Sequence, residues 1–214
     1  MLKIHQFTFN PFSEHTYIIY DQDSKDGIVI DPGILQPCEQ EEFDRYVASQ
    51  GIRLGMVVNT HMHVDHCLGN NYVARKYGAK VAAAASEFSF GRNADTQARF
   101  FGLGLQGYGT EADTAIADGQ ILPVGNGSLE VIAVPGHSPG GIALYCREGG
   151  WLVSGDTLFD GSVGRTDLPG GDHGTLLRSI RTRLMTLPDD TVVYPGHGPS
   201  TTIGRERASN PFLR

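Results

Sequence analysis

The chain has 214 residues, 40% hydrophobic and 19% charged, with a formal net charge of −7. That apolar share is enough for a sizeable core, and the charge density is too low for a disordered chain. An acidic balance with no basic run excludes a phosphate-backbone binder, which needs clustered Lys and Arg, so no nucleic-acid partner is expected.

In chain order, Thr16–Tyr20 and Gly27–Ile30 read as strands around a polar turn, and Glu39–Gln50 as a helix with Phe43, Tyr46 and Val47 at i, i+3, i+4. Leu54–Val58 is a strand running into a histidine cluster, Cys67–Tyr77 a helix and Val81–Ala85 a strand. Leu122–Val124 and Leu129–Val134 flank Asn126-Gly127, a strong hairpin signal. Ile142–Cys146 and Trp151–Ser154 make a second hairpin, and a helix at Thr175–Met185 precedes the strand Thr191–Tyr194. Strands followed by helices in both halves imply an α/β layered fold. No linker or low-complexity tract divides the chain, so residues 1–214 are expected to form a single domain. No 18-residue apolar segment or leader-like stretch is present, and three widely spaced cysteines suit reduced thiols. A cytoplasmic protein with no membrane partner is expected.

Five of the eight histidines fall into one pattern: His61, His63 and His66, then His137 and His197, with Asp65 inside the cluster and Asp156 between the last two. His61 and His63, two residues apart on extended chain, point the same way with Cα atoms about 6.6–6.8 Å apart, so both rings can share one ion. Asp65 and His66 follow where a helix begins, and the turn rotates them towards a neighbouring ion. His137 can complete the first site and His197 the second. Both end strands in the echoed Val134-Pro135-Gly136-His137 and Tyr194-Pro195-Gly196-His197, while Asp156 ends another strand and can bridge. Histidine with carboxylate points to two divalent metal ions, zinc first, with iron or manganese also suited. The ordinary alternative, a surface or core histidine, is assigned to His5, His15 and His173.

Thr60-His61-x-His63-x-Asp65-His66 with His137, Asp156 and His197 resembles the metallo-β-lactamase superfamily. The resemblance implies a four-layer αββα sandwich (α/β class). It assigns one site to His61, His63 and His137, a second to Asp65, His66 and His197, and a bridge to Asp156. Gly164-Arg165-Thr166-Asp167 and Pro195-Gly196-His197-Gly198-Pro199 look most like the glyoxalase II (hydroxyacylglutathione hydrolase) branch, and the last residues resemble its short, single-domain bacterial members. Longer members add a C-terminal helical region that helps bind glutathione, from which this sequence departs.

That resemblance implies a metal-dependent hydrolase of a small-molecule thioester, such as the glutathione-linked S-D-lactoylglutathione. A divalent ion lowers the pKa of bound water from 15.7 to about 7, and Asp65 would orient that nucleophile. Arg165 is a candidate contact for a substrate carboxylate, with an Arg165–Asp167 ion pair as the plain alternative. A mononuclear iron persulfide dioxygenase, whose ligands would be His61, His137 and Asp156, is the competing enzyme; a non-catalytic, metal-stabilised module is the third reading. The sequence does not specify oligomeric state.

Two further motifs carry no chemistry, and two other features have plain readings. Gly102-x-Gly104-x-x-Gly107 lacks the strand before and the helix after that a dinucleotide site needs. Gly136-x-Ser138-x-Gly140 places Pro139 where a nucleophile elbow needs a backbone N–H. Cys67 is read as a buried helix thiol. The aromatic stretch Phe88–Tyr108 is read as helix packing, with a lid as the alternative.

Overall fold

β-Branched and aromatic runs separated by turns build two six-stranded sheets in a computed structural model that describes every residue from Met1 to Arg214. The chain divides into two units, Met1–Ala115 with Pro123–Ser128, and Ile116–Leu122 with Leu129–Arg214. No helix in either is long and apolar enough to cross a membrane.

In the first unit, β1 (Leu2–Phe9), β2 (Glu14–Asp21) and β3 (Asp26–Ile30) form an antiparallel meander, and β4 (Arg53–Val58), β5 (Lys80–Ala83) and β6 (Thr114–Ala115) extend it in parallel. Parallel neighbours need crossovers. These are α1 (Pro37–Gln50), then α2 (Val64–Cys67) with α3 (Asn70–Tyr77), then α4 (Phe88–Arg92) with α5 (Ala94–Phe100). Pro37 opens α1, Glu39 Oε2 accepts from the backbone N–H groups of Leu35 and Gln36 at 2.7 Å each, and Gly51 at φ 65° ends it. Phe43 and Val47 of α1 and Val73 of α3 pack with Phe7, Ile18, Val29 and Val57.

One strand adds to the sequence reading and one expectation changes. The added strand, β1, has irregular burial, with only Phe7 and Phe9 fully enclosed. The helix expected over Cys67–Tyr77 breaks at Leu68-Gly69. The Gly69 N–H donates to the Pro32 carbonyl at 2.6 Å, and a Cβ at Gly69 would sit 2.7 Å from that oxygen and 2.9 Å from Ile34 Cβ. Glycine is required by this close approach.

The second sheet runs β14-β13-β10-β9-β8-β7, with β7 (Ile121–Val124), β8 (Gly127–Ala133), β9 (Ile142–Cys146), β10 (Trp151–Gly155), β13 (Val192–Pro195) and β14 (Thr201–Thr202). A small hairpin of β11 (Leu158–Phe159) and β12 (Ser162–Val163) stands apart. The helix α6 (His173–Ser179) runs into a π-turn over Ile180–Leu184, and α7 (Ile203–Ser209) follows β14. Leu176, Ile180, Leu184 and Ile203 bury their side chains with Val134, Ala143, Leu152 and Val193.

Strand direction sets what lies at each sheet's edge. β8 and β10 are both antiparallel to β9, and β10 is parallel to β13. The C-terminal ends of β8, β10 and β13 therefore share one edge. In the first unit β3, β4 and β5 likewise end together.

Candidate metal centre

Asp31 follows β3 and the histidine motif follows β4, so the parallel pairing brings them side by side. The Asp31 N–H donates to the Val58 carbonyl at 3.0 Å. Its Oδ1 accepts from the Thr60 backbone N–H at 2.7 Å, and its Oδ2 accepts from the Thr60 hydroxyl at 2.5 Å and faces His66 Nδ1 at 3.0 Å. Asn59 Nδ2 donates to the His66 carbonyl at 2.9 Å and is itself met by Asn70, whose Nδ2 donates to Asn59 Oδ1 at 2.8 Å. The Asp31 and Asn59 contacts with His66 tie the strand ends to α2, and Asn70 ties them to α3.

The imidazoles of His61, His63 and His66 are buried and clustered. Ring centroids lie 4.7 Å apart for His61–His63 and 4.1 Å for His61–His66. His61 Nδ1 lies 3.1 Å from the Thr60 hydroxyl. Asp65, half-buried, holds Oδ2 3.7 Å from His66 Nε2. Behind them Glu14 is fully buried, its Oε1 3.9 Å from His66 Nδ1; burial pushes its carboxyl well above the usual range.

In the second unit, His137, Asp156 and His197 follow β8, β10 and β13 at the shared edge. His137 Nδ1 is 2.7 Å from the Arg165 carbonyl. Asp156 Oδ2 lies 3.7 Å from His137 Nε2 and 3.6 Å from His197 Nε2, so one carboxylate oxygen faces two imidazoles. Glycines allow the turns: Gly136 has φ 136° and its Cβ position falls on the backbone of Leu176, while that of Gly164 falls on the Asp156 carbonyl.

These donors suit a divalent ion. Separations of 3.6–3.7 Å are too long for hydrogen bonds. They are close to the about 3.4 Å between two ligands that each sit roughly 2.1 Å from a tetrahedral ion. In His61, His66 and His137 the Nδ1 atom is taken by a protein oxygen, which orients the ring and directs Nε2 to the opposite side. Asp31 is engaged three times over and acts as such an orienting group.

The other sequence expectations resolve individually. Arg165 chelates Asp167, Nε to Oδ1 at 2.7 Å and Nη2 to Oδ2 at 2.8 Å, in an exposed loop, and this bond holds the Asp167 carboxyl down at about 2. Cys67 is buried and its thiol is pushed up by that burial, as an inert helix residue requires. His5 stacks on Tyr46 at 3.7 Å, His15 meets the Tyr17 hydroxyl at 3.3 Å, and His173 is exposed. Phe88, Phe90, Phe101 and Tyr108 pack on Met62, Val64, Cys67 and Leu68, while Phe100 is exposed. Sequence reasoning missed Asp31. It had the same signal as Asp156, a carboxylate directly after a strand.

Over residues 10–197 the chain matches the family model described as the metallo-beta-lactamase superfamily. It is 34% identical to hydroxyacylglutathione hydrolase GloC of Haemophilus influenzae, over 94% of this chain and 93% of that protein. It is 30% identical to the human mitochondrial persulfide dioxygenase ETHE1, over 96% of this chain and 74% of that one. The crystal structure of TTHA1623 in a di-iron-bound form superposes with a TM-score of 0.87 at 34% identity, covering 98% of this chain and all of that one. Two six-stranded sheets, each with its helices, make up the mixed α/β fold that these structures share. By family match, identity and fold, the chain belongs to the metallo-β-lactamase superfamily.

Proposed function

We propose that this chain is a binuclear metal-dependent hydrolase that cleaves a small-molecule thioester of the S-D-lactoylglutathione kind. His61, His63 and His137 would hold one ion, Asp65, His66 and His197 a second, and Asp156 would be shared. The observation that carries the reading is the set of imidazoles anchored through Nδ1, with neighbouring donors 3.6–3.7 Å apart. The GloC relative supports the choice of a thioester, and zinc, iron and manganese all suit the donor set.

The bound ions would supply an ionisable water and a Lewis acid for the carbonyl. Asp65, with 15% of its side chain exposed, is reachable by that water and is assigned to orient it and take its proton. The leaving thiolate has a parent pKa of about 8.5, so no dedicated general acid is needed. Arg165 is assigned to a substrate carboxylate, at the cost of opening its Asp167 pair. Arg165→Gln should raise KM for a carboxylate-bearing thioester and leave kcat nearly constant; an unaltered KM removes that role.

A second reading, persulfide dioxygenase, is favoured by the ETHE1 relative and would use His61, His137 and Asp156. Thioester cleavage on S-D-lactoylglutathione, set beside oxygen uptake on glutathione persulfide, separates the two. Cleavage without oxygen uptake is expected. Protein loaded with zinc or iron that consumes oxygen and leaves the thioester intact overturns the hydrolase. Asp65→Asn with metal content retained should cut kcat roughly 10²- to 10⁴-fold. If no activity exists to lose, the ions only brace the fold.

A further inference from the structure

We propose that Gln97 and Glu87 are positioning residues that set the His61–His63 pair through the backbone between them; the inference rests on reading those histidines as metal ligands. Residues 61–63 follow β4 but belong to no strand, so no sheet ladder holds their amide groups. Side chains from the segment after β5 do so instead. The Met62 N–H donates to Glu87 Oε2 at 2.9 Å. Gln97 grips the next peptides from both sides: its Nε2 donates to the Met62 carbonyl at 3.1 Å, and its Oε1 accepts from the Val64 N–H at 3.2 Å. The same Nε2 donates to the Phe90 carbonyl at 2.9 Å, which ties α4 and α5 together over the motif.

This grip fixes ring direction. Histidines at i and i+2 converge only while the intervening residue stays extended, and rotating the Met62 peptide would turn the rings apart. Buried backbone donors and acceptors must be paired, and for Met62 and Val64 the pairing groups are Glu87 and Gln97, with Met62, Val64 and Glu87 fully enclosed. The approach is tight: a Cβ on Gly91 would fall on the Met62 side-chain tip and 3.0 Å from the Thr110 carbonyl. The Phe90 ring stands edge-on to His63 at 5.9 Å. The aromatic segment thus braces the first two ligands.

The test compares zinc dissociation constants, by competition with a chromogenic chelator, with the melting temperature of the metal-free protein. Gln97→Met keeps the side-chain length and removes all three bonds. It should weaken zinc binding about 10- to 100-fold, the range for groups that orient ligands, beside a modest fall in apoprotein melting from the buried backbone groups left unpaired. Glu87→Gln retains an acceptor for Met62 and should bind zinc like the wild type. An unchanged constant in Gln97→Met, or lowered apoprotein melting with an unchanged constant, overturns the inference and leaves ordinary packing. A Glu87→Gln loss as large as that of Gln97→Met also overturns it, since charge rather than the bond would then act. A wild-type chain that binds no zinc overturns the metal reading itself, an outcome distinct from the others.

Discussion

Asp31 shows how one carboxylate at a strand end organises three groups. It accepts from the Thr60 backbone and hydroxyl and faces His66 Nδ1, so its two oxygens join the end of β4 to the first turn of α2. Such outer partners fix both ring orientation and tautomer. Asp31→Asn preserves shape while removing the charge that favours a protonated Nδ1. Metal affinity should fall about 10- to 100-fold, measured by chelator competition. An affinity equal to the wild type would show that the Thr60 bonds alone hold the motif. Glu14 lies on the same side of His66 with its carboxyl raised by burial, so Asp31 supplies the nearer charge.

At the scale of elements, the break between α2 and α3 joins the loop after β3 to the helix after the histidine motif. Gly69→Ala would place a methyl 2.7 Å from the Pro32 carbonyl and 2.9 Å from Ile34 Cβ. Overpacking of this kind costs about 1–3 kcal/mol, to be read as a shift in urea midpoint. Because Pro32 adjoins Asp31, weakened metal binding should accompany it; loss of stability alone would mean that the loop does not transmit the shift. A second element-level contact is sensitive to acid. Asp21, ending β2, accepts from the Asn126 backbone at 3.1 Å, the Asn126 side chain at 2.6 Å and the Ser24 backbone at 3.4 Å. The Asn126 backbone bond leads the effects that hold its carboxyl below the usual range. A folded pKa below the unfolded value of about 3.9 means that this stability is complete above that pH and lost as pH falls through the folded value. Asp21→Ala should therefore melt lower than the wild type at pH 7, with the gap closing as the solution is acidified below about pH 4. A gap that stays constant with pH would show that packing, not the carboxylate, is responsible.

For the molecule as a whole, bound ions would contribute to stability as well as chemistry. A ligand at 100 times its dissociation constant adds about 2.7 kcal/mol. Chelation should thus lower the melting temperature by several degrees and abolish the proposed thioester cleavage, both restored by adding zinc, iron or manganese. Activity and melting that ignore the chelator would remove the metal from the account. The α/β class and the positions of the candidate donors were readable from residue order, because ligand spacing and strand-end glycines are local patterns. His61 and His63 sit on extended chain, Asp65 and His66 on the first helical turn, and Asp156 and His197 after strands, as their neighbours in sequence dictate. What residue order left open were the groups that act across the chain. Asp31 reaches His66 over 35 positions, Glu87 reaches Met62 over 25 and Gln97 reaches Val64 over 33. Their roles depend on parallel strand pairing and on one glycine-tight helix approach. A hydrogen bond is made by proximity in space, and proximity over such separations exists only once the sheets have assembled.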